Sequence, residues 1–163
     1  MNITTVILLV LVIFPALPTQ QSAKQSDLNP ENVPDEVRTC LRTRPEIEIN
    51  GGINPFLISG DYDGDGFTDF AVQVRTKKDQ HQGILICFAK DVAVLVGAGG
   101  DTPWSKGQDG RWPFDSWFLA RKGSKHLSIY PKIKFDALAL VIADEGGGLV
   151  YWDGHKFRWQ QEE

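Results

Sequence analysis

The sequence lacks an excess of positive charge. Its 17 lysine and arginine residues are outnumbered by 21 aspartate and glutamate residues, which gives a net charge of −4 at neutral pH. Because nucleic acids are bound mainly through basic side chains that contact phosphates, we expect no nucleic-acid partner. No charged residue occurs within positions 1–20, so the whole net charge belongs to the rest of the chain.

The sequence also lacks recognised catalytic motifs. The histidines His81, His126 and His155 form no H-E-x-x-H pattern, and no G-x-S-x-G nucleophile elbow is present. Asp144 and Glu145 could pair with Asp115 as the acid and base of a glycosidase. Adjacent carboxylates near a turn are more often solvated surface residues, so a domain without catalytic activity is the favoured interpretation.

Long apolar runs are scarce. The run Val6–Phe14 is too short to span a bilayer and is typical of the core of a signal peptide. We predict a signal peptide over residues 1–22, a flexible leader over 23–33, and a single β-rich calcium-binding domain over 34–163. The protein is expected to be secreted or periplasmic, with no transmembrane segment after signal cleavage. The alternative is an uncleaved N-terminal anchor.

Cysteine is rare. Cys40 and Cys87 are the two cysteines of the chain, and they form no C-x-x-C motif. Outside the cytosol a disulfide between them is the natural interpretation. The alternative is a pair of buried free thiols, because cysteine is often a small core residue.

Against these absences stands a dense group of carboxylates in the segment Gly60–Asp69, which we call the acidic loop. Counted from Asp61 as position 1, aspartates occupy positions 1, 3, 5 and 9, and a backbone carbonyl is available at position 7. Calcium is bound by six to eight oxygen ligands at such spacings. The predicted ligands are Asp61, Asp63, Asp65, Phe67 and Asp69. An EF-hand would need Glu at position 12, where Val72 stands; the alternative is an Asp/Gly-rich turn without a metal.

The remaining pattern predicts an α+β fold that is mostly β, with a short N-terminal helix packed on an antiparallel sheet. The helix is expected over Pro34–Thr43, capped by Asn32. The acidic loop is expected between two strands. Strands are predicted over residues 53–59, 69–75, 84–89, 92–96, 114–120, 127–130 and 137–143.

A C-terminal hairpin is predicted around Asp153-Gly154, a dipeptide typical of two-residue turns. Such a turn would pair Trp152 with His155 and Val150 with Phe157. These four residues and Trp159 would then share the buried face. The wetter face would carry Leu149, Tyr151, Lys156 and Arg158.

The segment from Leu57 to Val72, which contains the acidic loop, resembles the calcium loops of FG-GAP and VCBS-type repeats, known from integrin α-chains. The resemblance implies a calcium ion held by Asp61, Asp63, Asp65, the Phe67 carbonyl and Asp69. A single copy is present, so it covers the loop and implies no propeller, which needs four or more blades. The order of acidic loop, strand and the segment Tyr151–Phe157 also resembles small exported bacterial proteins of unknown function, and this implies no activity.

Tryptophans in a Gly- and Pro-containing region suggest a contact surface. Trp104 and Trp112 are the candidates for exposed partner-binding residues, although core packing is the more common role of such side chains. We therefore expect an exported, calcium-binding, non-catalytic domain that binds an envelope protein or glycan. The alternative is a small hydrolase, or an accessory or inhibitor domain, acting on a cell-envelope glycan or a partner enzyme.

Overall fold

The computed structural model describes residues 32–101, 103–104 and 113–162. The predicted signal peptide, most of the predicted leader and Trp112 lie outside these residues. The described chain forms one α-helix and nine strands. These elements are α1 (Asp35–Arg42), β1 (Ile47–Ile49), β2 (Leu57–Gly60), β3 (Asp69–Thr76), β4 (Gln82–Cys87), β5 (Ala93–Gly97), β6 (Ser116–Ala120), a 3₁₀ helix (Leu127–Ile129), β7 (Ala137–Ile142), β8 (Gly146–Trp152) and β9 (Phe157–Gln161).

The strands form two antiparallel sheets. The first sheet has the order β1-β3-β4-β5, and β2 also pairs with β3. The second has the order β6-β7-β8-β9. The predicted fold class, mostly β with one short N-terminal helix, is confirmed, although the strands are divided between two sheets.

Helix α1 covers the outer face of the first sheet. Val37 and Cys40 are its buried residues, and Asp35 and Glu36 in its first turn suit the positive end of the helix dipole. The predicted cap at Asn32 is wrong: the N-cap residue is Pro34, whose side chain makes no capping hydrogen bond. Proline is tolerated there because the backbone N–H that it lacks would have no partner within the helix.

The two sheets enclose a common core. Strand β3 has buried residues on both faces, because one face meets α1 and the other meets the second sheet. Its Val72 and Val74 face the helix, whereas Ala71 faces the core between the sheets. The core residues shared by the sheets include Ile58, Ile84, Ile86, Val96, Trp117, Leu138, Leu140, Val150 and Phe157.

The outer face of the second sheet is also covered. Leu149, which was expected on a wet face, is fully buried there beside Ala139, Leu127 and Ile133. The predicted strand over 127–130 is wrong, because Leu127–Ile129 is a 3₁₀ helix in the segment that covers this face. The chain between β6 and β7 therefore provides a small third core.

The C-terminal hairpin exists, but its predicted register is wrong by two residues. Trp152 pairs with Phe157 and Val150 with Trp159, so the connection has four residues. Asp153 causes this, because its Oδ1 accepts hydrogen bonds from the N–H groups of the two residues that end the turn, at 2.8 and 2.9 Å. His155 is consequently exposed instead of inward-facing. The predicted burial of Val150 and Phe157 is confirmed.

Candidate metal site in the acidic loop

The acidic loop connects β2 to β3, and its two ends are paired strand residues. Gly60 at the end of β2 lies opposite Asp69 at the start of β3. The apolar residues of β2 and β3 hold these two strands in the sheet. The polar loop that joins the strands lies at the end of the sheet. The loop therefore has a fixed base, as a binding site on a rigid scaffold requires.

Three carboxylates converge within the loop. Asp61, Asp63 and Asp65 each place one oxygen within 4.8 Å of the oxygens of the other two. Backbone N–H groups of the loop organise them: Gly64 and Gly66 donate to the two oxygens of Asp61 at 2.7 and 3.2 Å. Like charges held this close repel one another without a cation, so this group could hold a metal ion.

Two glycines allow the loop to turn around this group. Gly64 and Gly66 have φ angles of +79° and +85°, which residues with a Cβ adopt only with strain. A Cβ on Gly64 would also lie 2.1 Å from the ring of Phe135, whereas nothing lies within 4 Å of one on Gly66. The loop at Gly64 therefore packs tightly against Phe135, which lies two residues before the start of β7.

Asp69 occupies a different place from the other three aspartates. It is fully buried, and its oxygens accept hydrogen bonds from the N–H groups of Tyr62 at 2.8 Å and Ala89 at 3.0 Å. Burial raises the pKa of Asp69, and the two backbone donors oppose that shift. Asp69 thus fastens the loop to the chain after β4, beside the group of three. The other predicted ligand, Phe67, has a side chain that is 65% exposed.

A lysine from outside the loop contacts the acidic group. The Nζ of Lys90 lies 2.8 Å from Oδ2 of Asp65, whose side chain is 12% exposed. The contact with the Lys90 ammonium is the largest cause that lowers the pKa of Asp65, followed by the N–H of Phe67. Asp65 in turn raises the pKa of Lys90. The acidic group therefore already attracts one cationic side chain.

The second sheet supports the loop through Asp136, which the sequence did not single out. Oδ2 of Asp136 accepts the N–H of Asp61 at 3.1 Å, and Oδ1 accepts the N–H of Lys122 at 2.7 Å. Tyr62 adds a buried anchor, with its hydroxyl donating to the carbonyl of Ile58 at 3.2 Å. Burial, and then the charges of Asp136 and Asp69, raise the pKa of that hydroxyl far above its usual value.

The other predicted site residues are not part of this group. Cys40 and Cys87 form the expected disulfide, with their Cα atoms 5.9 Å apart, and it ties α1 to β4. Trp104 is not the exposed side chain that was expected: it is 4% exposed and contacts the rings of Phe114 and Trp159.

The carboxylates considered for catalysis lie apart from the acidic loop, near the turn between β7 and β8. Asp115, Asp144 and Glu145 are exposed. Asp115 accepts the N–H of Ala143 at 2.6 Å through Oδ2. This bond fixes the chain that enters β6 to the end of β7, which is a structural role.

Comparison with known proteins leaves the site to be judged on its own geometry. No protein-family model matches the chain, and no curated protein or solved structure matches it significantly. Within the described part of the chain, no helix has the length and apolar character needed to cross a membrane. The residues present suit a hard cation, because the converging ligand atoms are all carboxylate oxygens.

Proposed function

We propose that the protein is an exported calcium-binding domain without catalytic activity, which acts as a binding or envelope-associated protein. The observation that carries the calcium assignment is the convergence of Asp61, Asp63 and Asp65 on a loop anchored at both ends. The resemblance of this loop to FG-GAP and VCBS-type calcium loops supports the same ion.

Calcium fits the donor set better than the common alternatives. Zinc prefers nitrogen and sulfur ligands, and the group contains neither histidine nor cysteine. Magnesium requires near-ideal octahedral geometry, whereas calcium accepts irregular arrangements of carboxylate and backbone oxygens. Asp69 and the carbonyl of Phe67 complete the proposed ligand set, as the resemblance implies.

The proposed role of the ion is structural. The loop that would hold it contacts the second sheet through Asp136 and Phe135, and contacts the end of β4 through Asp69. An ion that neutralises the loop would therefore stabilise the junction of three chain segments. Because calcium would bind the folded state and not the unfolded chain, binding would increase the free energy of unfolding.

Export is supported by the Cys40–Cys87 disulfide, since disulfides persist in oxidising compartments. Several large apolar side chains remain in contact with water and are available to a partner. These exposed side chains are Phe67, Val92, Phe118 and Ile129. Isolated exposed apolar residues are common, so we assign the partner only as an envelope protein or glycan.

Calcium titration of the mature protein tests the proposal. Isothermal titration calorimetry should give one site with a dissociation constant of about 10⁻⁴ to 10⁻³ M, as in other extracellular modules. Asp63→Asn should abolish the heat and the calcium-induced rise in Tm, because it removes a ligand charge while retaining an acceptor for the N–H of Asp65. Asp79→Asn, at an exposed position in the turn between β3 and β4, is the matched control. Absence of heat and of a thermal shift at millimolar calcium would refute the calcium site.

A further inference from the structure

The turn between β4 and β5 contacts the acidic loop in two different ways. Its backbone contributes the N–H of Ala89, which donates to Oδ1 of Asp69 at 3.0 Å. Its next residue contributes the ammonium of Lys90, 2.8 Å from Oδ2 of Asp65. The first contact holds the base of the loop, and the second reaches one of the three converging carboxylates.

We propose that Lys90 is an internal competitor of the metal ion and sets the affinity of the site. In the metal-free protein its ammonium partly neutralises the acidic group, and it leaves Asp65 when a divalent cation binds. The inference rests on the proposed function, because it concerns the same carboxylates. It adds a residue that neither the ligand spacing nor the resemblance indicates.

Electrostatic repulsion favours this exchange. A carboxylate oxygen that binds a divalent cation cannot retain an ammonium group in direct contact without bringing two positive charges close together. Lys90 can leave at little cost, since its side chain is 65% exposed and its flexible stem can turn into water. The bond between Ala89 and Asp69 involves backbone and can persist, so the turn and the loop stay together in both states.

Two measurable consequences follow from the exchange. Removing the ammonium should strengthen calcium binding, because the ion would no longer displace a bound cation. It should also destabilise the metal-free protein, because the three carboxylates would then repel one another without compensation. Calcium should consequently raise the Tm of such a variant by more than it raises that of the wild type.

The test compares calcium binding by the wild type, Lys90→Met, Lys90→Arg and Lys78→Met. Methionine keeps the length and apolar character of the lysine stem, and arginine keeps the charge. Lys78→Met is the matched control: it removes the same charge from an exposed position in the turn between β3 and β4, at the opposite end of β3 from the acidic loop. Calorimetry with calcium chloride gives the affinities, and circular dichroism melting in chelator checks that each variant is folded.

We expect Lys90→Met to bind calcium about two- to fivefold more tightly, because an exposed ion pair such as Lys90–Asp65 changes a binding equilibrium by about that factor. Lys90→Arg and Lys78→Met should bind like the wild type. Equal affinities of Lys90→Met and the wild type would overturn the inference and leave the calcium site intact. An equal gain in Lys90→Met and Lys78→Met would also overturn it, since net charge alone would then explain the change. Loss of binding in every protein, wild type included, would instead refute the proposed function.

Discussion

Asp61 and Asp136, 75 residues apart in the sequence, are joined by two hydrogen bonds. The N–H of Asp61 donates to Oδ2 of Asp136, and the N–H of Asp136 donates to the carbonyl of Asp61, both at 3.1 Å. The pair connects the first residue of the proposed metal group to the residue that precedes β7. The acidic loop therefore belongs to both sheets, although its sequence lies in the first.

This connection predicts that Asp136→Ala weakens calcium binding without removing a ligand. The change removes the side-chain acceptor of the partly buried N–H of Asp61 and of the exposed N–H of Lys122, which should cost about 1 kcal/mol of unfolding free energy. Denaturant unfolding and calorimetry measure the two effects. Asp79→Ala, at an exposed site away from the loop, is the control, and equal behaviour of both variants would show that Asp136 does not support the loop.

A second prediction uses the two glycines of the loop as a matched pair. Gly66→Ala should destabilise the protein by about 1–2 kcal/mol through its positive φ alone. Gly64→Ala adds a steric clash with Phe135 to the same strain, so it should cost more. Thermal melting of the two variants gives the difference. When Phe135→Ala is added to both glycine variants, most of the difference between them should disappear. A difference that persists would show that Phe135 is not the cause of the extra loss in Gly64→Ala.

The third prediction concerns the disulfide between Cys40 and Cys87. It closes a loop with a sequence separation of 47 residues, which corresponds to about 4 kcal/mol in the chain-entropy model. Replacing both cysteines by alanine should lower the unfolding free energy by an amount of that order. Intact-mass analysis of the wild type should show two hydrogens fewer than the reduced chain. Two thiols that react in denaturant without reductant would contradict the bridge.

The fourth prediction concerns Phe157 in the C-terminal hairpin. Its ring is 5% exposed and packs against Phe88 and Trp152 in the core between the sheets. Phe157→Ala should therefore cost about 3–5 kcal/mol by forming a cavity. Its neighbour Lys156 is exposed, and Lys156→Ala should change stability by less than about 0.5 kcal/mol. Similar losses for the two variants, measured by denaturant unfolding, would contradict the inward orientation of Phe157 and the outward orientation of Lys156.

Much of the first sheet could be predicted because the sequence patterns that indicate its elements each lie within a short segment. The spacing of the acidic loop, the alternation along β3 and the apolar face of α1 each lie within a few residues of sequence. The disulfide followed from two cysteines and an apolar N-terminal run. The strand β1 was missed because three residues, Ile47–Ile49, are too short for a periodic pattern, although Glu48 is fixed by an ion pair with Arg75.

The errors arose where distant segments decide the environment. The sequence pattern predicts Leu149 on a solvent-exposed face because it indicates only one buried face of the sheet. In the structure the chain between β6 and β7 covers the other face of this sheet and buries Leu149. The flanking glycines and proline suggested that Trp104 was exposed, but its ring packs on Phe114 and Trp159. Asp136 gave no local signal, since its role depends on contact with a loop that precedes it by many residues.

The last prediction follows from Asp153, whose side chain determined the unexpected turn. Its oxygens accept hydrogen bonds from the N–H groups of Lys156 and His155 and from the guanidinium of Arg158. The backbone donor of Lys156 and then Arg158 lower the pKa of Asp153 well below its usual range. A carboxyl whose pKa is lower in the folded state stabilises the fold above its unfolded pKa, and this contribution is lost as the pH falls.

The stabilisation that the ionised Asp153 provides should therefore decline as the pH falls below about 4, the unperturbed pKa of aspartate, because the unfolded chain takes up this proton before the folded protein does. Asp153→Asn cannot titrate, so its Tm should fall less than that of the wild type between pH 6 and pH 2. Circular dichroism melting at a series of pH values measures the Tm of both proteins. The other carboxylates are the same in both, so their effects cancel when the two Tm values are subtracted. Asp79→Asn, an exposed residue in the turn between β3 and β4, is the control and should follow the wild type. Parallel curves for the wild type and Asp153→Asn would show that the ionised carboxylate does not hold the four-residue turn.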